Sequence, residues 1–432
     1  MLNLKTNYFT LLIFILASCS NIQFEQNLNI LSETKAEVET LNTQFESFLA
    51  NQWDEGLKDN PIFASNLGDK RFNTKISSNS SGQFKINKAK EEKSLKELQS
   101  FNIELLNDEN KLNYKLAELS MLNSIKRMNY PSYLMRLNQR GGIQSFYETG
   151  DRLVYTSKQD YEDWLTRLNS FVENIDNSLT NNKKGLELGY TQPKLVTKGV
   201  IAQISAIINS DIENHPYLKV FKNADESLMS LNEKKDLINR AKTLITNEID
   251  PSYKRLHDFL KNEYLSNSRD SIGISDVPNG SKWYEVLSNY HTTTNLTPDE
   301  IHDIGLSEIK RIRSEMEKII SDLEWDGDFN SFLNYLRTSP RFYYDNPEDL
   351  FNAYLIMSKT IDPLLPKIFK TFPRAPYGVI PIPAESAPFT TTAYYNSPSK
   401  GKPGYFYANL YKPESRPKYE IPVLTVHEAV PG

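Results

Sequence analysis

The sequence predicts a mainly α protein: a large multi-helical scaffold with a small β-containing patch just before a C-terminal helix carrying His427-Glu428. Three observations lead there. Over most of the 432 residues, apolar side chains recur at three- and four-residue steps, the spacing of a helix face. Only 17 Gly stand against 22 Pro, too few Gly for an all-β fold crowded with tight turns. From Thr371 to Tyr419 the helical spacing gives way to frequent Pro, Tyr, Thr and Gly, with two runs that read as extended chain.

Composition narrows the function classes. With 39% hydrophobic and 24% charged residues the profile is globular. A net charge of -5 gives no case for a nucleic-acid partner, which needs a concentrated basic face. Cys19 is the single cysteine, so neither an intrachain disulfide nor a Cys-based metal site can form. Any histidine metal site must draw on five residues: His215, His257, His291, His302 and His427.

The N-terminus reads as an export signal. Lys5, the apolar stretch Tyr8 to Ala17 and the small residues before Cys19 have the order of a secretory signal peptide, and the stretch is too short for a comfortable membrane span. Leu16-Ala17-Ser18-Cys19 resembles the bacterial lipobox. That resemblance implies acylation of Cys19, a membrane tether for a soluble domain and, with Ser20 rather than Asp after the Cys, the outer membrane. A plain signal peptide or an uncleaved anchor are the alternatives. Residues 1–18 are thus expected to be the signal and 19–36 a polar tether.

Residues 37–370 are expected to form the helical body. Val38, Leu41, Phe45, Phe48 and Leu49 open it with helical spacing. Pro61 interrupts, and a short helix or turn ends at Gly68. After the Ser77–Gly82 loop, a long helical region runs from about Phe84 to Asn129, broken near Asn107-Asp108-Glu109 into stripes ending with Leu106 and beginning with Leu112. Ser157 to Asp160 has the form of a helix cap, followed by Tyr161, Trp164, Leu165, Leu168 and Phe171. Helices are expected near 194–210, 226–247, 249–265, 329–338 and 347–369. Thr297-Pro298-Asp299-Glu300 is a strong start for one reaching about Leu323. In the final segment, 371–432, Phe389 to Tyr395 and Gly404 to Tyr411 are the expected strands.

The chemistry-bearing residues sit at the end. In a helical His-Glu-x-x-His, two imidazoles on one face hold zinc while the Glu works on the bound water. Here Pro431 stands four residues after His427, so that form is absent, and a helix start carrying a favourable Glu explains the pair as well. The apolar Val423 to Val426 leads to the expectation that His427 is buried. The Gly404–Leu410 strand is either an edge that could pair with an extended peptide or ordinary sheet with aromatic packing.

H-E-A-V-P-G at 427–432 resembles the start of the H-E-A-x-P-G-H-H motif of the DUF885 family, bacterial proteins, often secreted or lipid-anchored, grouped with gluzincin-like metallopeptidases. Four further blocks resemble the family in the same order: Pro61 to Arg71, Thr156 to Leu168, Ser268 to Leu306 and Pro376 to Tyr411. The likeness covers roughly residues 40 to 432. It implies a zincin-like scaffold, zinc as cofactor and a peptide substrate. His427 becomes the first metal ligand and Glu428 the general base. Tyr407, Ala408 and Asn409 lie on the substrate-facing strand, with Tyr394, Tyr395 and His291 as further contacts; His291 reads equally well as a loop hydrogen-bonder. His257 and His302 fall on helical patterns and read as packing or surface residues.

The family continues with more His and a later Glu-Gly-Trp-Ala block, which residues 1–432 lack. One imidazole does not hold zinc tightly, since a catalytic site takes three protein ligands. The expectation is therefore the N-terminal part of a peptidase-like lipoprotein, inactive and without retained zinc as it stands. The alternative is a non-catalytic, lipid-anchored helical protein that binds peptides or a partner.

Overall fold

The computed structural model describes residues 35–384, 387–398 and 403–429. Cys19, the signal and most of the tether lie outside them. The chain divides into two compact units, the first ending at Pro298 and the second beginning at Asp299. Both are helical, and one three-stranded sheet belongs to the second.

The first unit opens with helix α1 (35–59) and the short α2 (Pro61–Asn66), which Gly68 terminates at φ 86°, a left-handed conformation open to glycine. Helices α3 (Ser81–Leu98) and α4 (Asp108–Met128) form an antiparallel-type pair, capped by Ser80 and by Asn107. The break expected near Asn107 is that cap: its side chain accepts from Asn110 N at 2.8 Å. Phe45 and Phe48 of α1 join Leu98, Leu106, Tyr114 and Met121 in a small core. Leu112, Leu116, Leu119 and Leu122 lie on the far side of α4 and are exposed, because Asn110, Tyr114 and Met121 supply its inward face.

The short α5 (Tyr147–Arg152) precedes α6 (Lys158–Leu188), a 31-residue rod at the centre of the main core. Asp160 reaches back to Ser157 N at 3.0 Å, as the sequence cap requires, and Gly189 at φ 79° ends the helix. Helices α9 (Leu231–Leu244) and α10 (Asp250–Phe259) pack on it, α7 (Lys194–Ile208) packs on α10 and α8 (Lys219–Lys222) on α9, all sharing the one core. The expected separate helices near 226–247 and 249–265 are one continuous run through α11 (Leu265–Asn267). Wide turns of π type at Ile245–Ile249 and Leu260–Tyr264 interrupt it, the first making room for Pro251, which cannot donate to the ladder. Helix α12 (Gly280–Thr292) closes the unit, with Trp283 stacked on Tyr130.

The second unit contains α13 (Pro298–Asp322), α14 (Phe329–Thr338), α15 (Pro347–Ile361), strands β1 (Tyr377–Pro381), β2 (Ala393–Asn396) and β3 (Gly404–Ala408), and α16 (Ile421–Glu428). Pro363 and Pro366 convert the end of α15 into a 3-10 turn, which shortens the helix expected to reach 369. β3 is central, parallel to β1 and antiparallel to β2. Strand β1 was not expected: Gly378 and two flanking prolines hide its short alternation. The sheet's inner face, with Phe406, Ala408 and Ala393, packs with Leu350 and Tyr354 of α15 and Ile421 of α16. Among the described residues no helix is long and apolar enough to cross a membrane.

Candidate functional site

Helix α16 is held by one face. Ile421 and Thr425 are buried, and Ala429 continues that line past the helix end. Successive residues turn by about 100°. His427, two positions after Thr425, therefore points away from the core, and the expectation of a buried imidazole is overturned: His427 is exposed. Glu428, three positions on, lies closer to the buried side and is half-buried. Neither side chain has a hydrogen bond or ion pair among the described residues. The helix itself packs on α15 and β2, so the pair stands beside the tyrosine-rich sheet.

The central strand β3 alternates strictly between buried and half-buried residues. Tyr394 and Tyr407 are register partners on the outer face, stacked at 4.7 Å and 16°. Tyr405 meets Tyr407 edge-on at 6.3 Å on the same face. Burial raises the Tyr394 hydroxyl pKa, with Tyr407 adding to the effect. Tyr395 belongs to the inner face, where a Cβ at position 404 would run into its hydroxyl, so Gly404 is the residue that fits.

The reading of Gly404–Leu410 as a free edge fails, because β3 has a neighbour on each side and its backbone groups are already paired. Ala408 and Asn409 are fully buried. Asn409 Nδ2 donates to Ala387 O at 2.8 Å and Thr391 O at 3.0 Å, while its Oδ1 accepts from Tyr411 N at 2.9 Å. In this structure it ties the β2 approach to the end of β3, leaving Tyr394 and Tyr407 as the outward-facing members of the proposed substrate set.

The other histidines have separate settings. His291 is exposed near the end of α12 in the first unit, edge-on to Tyr290 at 4.9 Å. His215 is buried, its Nε2 3.1 Å from Asp250 Oδ1. His257 is buried on α10 beside Asp258, and His302 is exposed on α13. No group of three or more His, Cys, Asp or Glu that could hold a metal ion occurs among the described residues. His427 and Glu428 alone do not fit a catalytic zinc set.

The sequence blocks contain residues that sequence reasoning left without a role. Lys70 Nζ donates to both carboxylate oxygens of Asp160 at 2.7 Å. Arg167, 1% exposed, donates from Nε to Lys75 O at 2.8 Å and from Nη2 to Ser65 Oγ at 2.9 Å and Phe72 O at 3.0 Å. The signal was available: Arg167 falls three residues after Trp164 and four before Phe171, on the apolar stripe of α6. Similarly, Arg269 donates to Thr191 O and to Gly273 O, four residues on in the same block.

A family model described as a bacterial protein of unknown function, DUF885, matches residues 61–432. The chain belongs to the DUF885 family. Two solved structures resemble this DUF885 chain. A candidate lipoprotein from Colwellia psychrerythraea is 20% identical with a TM-score of 0.74, over 92% of this chain and 71% of the other. A candidate lipoprotein of unknown function from Shewanella oneidensis is 14% identical with a TM-score of 0.68, over 90% and 70%. At these identities the likeness shows a shared fold. No curated protein matches the chain.

Proposed function

We propose that the chain is part of a zinc-dependent, peptidase-like lipoprotein of the cell envelope, tethered through acylated Cys19 to the outer membrane. One observation carries the peptidase reading: His427 and Glu428 end a helix pinned to the sheet by Ile421 and Thr425, with the imidazole turned outward and neither side chain engaged. On this reading His427 is one zinc ligand and Glu428 the general base, the other ligands come from outside residues 1–432, and Tyr394 and Tyr407 face a peptide. The envelope location draws on the lipobox resemblance and on the description of the two structural neighbours as candidate lipoproteins.

The test has two arms. The 432-residue chain is expected to hold no stoichiometric zinc and to hydrolyse no peptide library. Coding sequence after Gly432 is expected to supply His-His and later Glu-Gly-Trp-Ala. With that segment joined, one zinc per chain is expected, lost in His427→Ala but kept in Glu428→Gln, which loses hydrolysis. Unrelated sequence there, or zinc that survives His427→Ala, overturns the reading.

A second reading, non-catalytic binding of a peptide or partner, draws on the stacked outer tyrosines of the sheet. Zinc bound stoichiometrically by the 432-residue chain argues against it.

A further inference from the structure

A cleft of about 640 Å³ opens in the first unit, between the loop following α4, the 76–79 segment and one side of α6. Its volume lies in the range of small-molecule sites. The apolar wall includes Ile76, Leu137, Ile143, Phe146 and Phe171, the last two stacked at 4.1 Å. The polar wall includes Asn79, Asn138, Asn174, Ser178 and Gln192.

Arg136 is the one charged side chain lining this cleft. It makes no hydrogen bond or ion pair among the described residues, and no carboxylate acts on it. This sets it apart from Arg167, Arg255 and Arg269, each of which is tied to protein acceptors. Arg136 is exposed to solvent at this cleft, beside its apolar wall, and its planar fork matches a carboxylate with two parallel hydrogen bonds. One further group at the wall is unsatisfied: Asn79 Oδ1 is a buried acceptor without a donor. The remaining polar groups are largely committed: Asn79 Nδ2 donates to Asn174 O and Ser178 Oγ, and Asn174 Nδ2 to Ser77 O. Those bonds fix the wall and leave Arg136 as its one free charge.

We propose that this cleft binds an organic monoanion with an apolar body, its carboxylate held by Arg136 and its body against Phe146 and Phe171. The site is independent of His427 and Glu428 and stands or falls separately from the peptidase reading.

Isothermal titration calorimetry on the full chain tests it, with N-acetyl-L-phenylalanine and its uncharged carboxamide as probes. The carboxylate is expected to bind at least about tenfold more tightly than the amide, the scale of one charge-assisted contact. Arg136→Gln is expected to erase that preference, while Arg140→Gln, at a nearby position that does not line this cleft, keeps it. Near-UV circular dichroism serves as the fold control for both variants. Equal binding of the two probes, no binding of either, or a preference that survives Arg136→Gln in a folded protein overturns the proposal.

Discussion

Lys70 and Asp160, 90 residues apart in the chain, form a 2.7 Å ion pair that fastens the turn after α2 to the first turn of α6. The carboxylate is almost wholly buried, while the ammonium is half exposed. Thr156 N and Ser157 N donate to the same carboxylate, at 2.8 and 3.0 Å. The Asp160 pKa is lowered from its ordinary 3.8: burial pushes it up, and the hydrogen bonds from Lys70, Thr156 and Ser157 outweigh that push.

Asp160→Asn is expected to lower unfolding free energy at pH 7 by about 2–3 kcal/mol, combining a lost cap with a broken buried contact. The sign with pH follows from the depressed folded pKa. Stability from this group is complete above the unfolded pKa and is lost as pH falls through the folded one, so the window lies below about pH 4. Urea unfolding at pH 7, 5 and 3.5 checks this, and a gap between wild type and variant that does not narrow at the lowest pH counts against it.

Arg167→Met should cost about 3 kcal/mol, because it strands two carbonyls and a hydroxyl that the buried guanidinium satisfies. Burial pushes this guanidinium down to about 10, still charged at neutral pH. Arg167→Lys should recover little, since an ammonium cannot reproduce the fork. Thermal unfolding and limited proteolysis of the 69–80 segment are the measurements.

Asn409→Asp is nearly isosteric, yet it sets a carboxylate against the carbonyls of Ala387 and Thr391. A loss of about 3 kcal/mol is expected. An unchanged melting temperature would mean that Asn409 is not needed for the fold.

Helix α13 keeps its shape through spaced ion pairs, Arg311–Glu315, Arg313–Glu317 and Lys318–Asp322, while Ile309 and Ile312 are 66% and 46% exposed. The native protein should therefore bind anilinonaphthalene sulfonate. Joint replacement Ile309→Lys and Ile312→Lys should cut the dye signal severalfold without lowering the melting temperature.

Cys19→Ser is expected to abolish palmitate labelling and move the protein from the membrane pellet to the soluble fraction. Labelling that persists in this variant sinks the lipobox assignment.

Helix positions were legible because caps and periodicity act locally: Asn107, Ser157 and the Pro298 start all fall at helix ends in the structure. Burial was less legible. The leucines of α4 and the isoleucines of α13 have core-like spacing yet face outward, and His427 follows an apolar run but points away from the core. Spacing tells which residues share a face, whereas the partner that covers the face is a non-local fact. Strand order is non-local too, which is why the Gly404–Leu410 segment read equally well as an edge or as ordinary sheet, whereas β1 and β2 flank β3 in the structure.

The pairing of Tyr394 with Tyr407 has a consequence for how this segment can vary. Side chains along a strand alternate with a period of two, so deleting one residue within β3 would put the residues on one side of the deletion onto the opposite face, turning Tyr405 or Tyr407 toward the core. The ribbon should accept exchanges of ring type on its outer face far more readily than any change in its length.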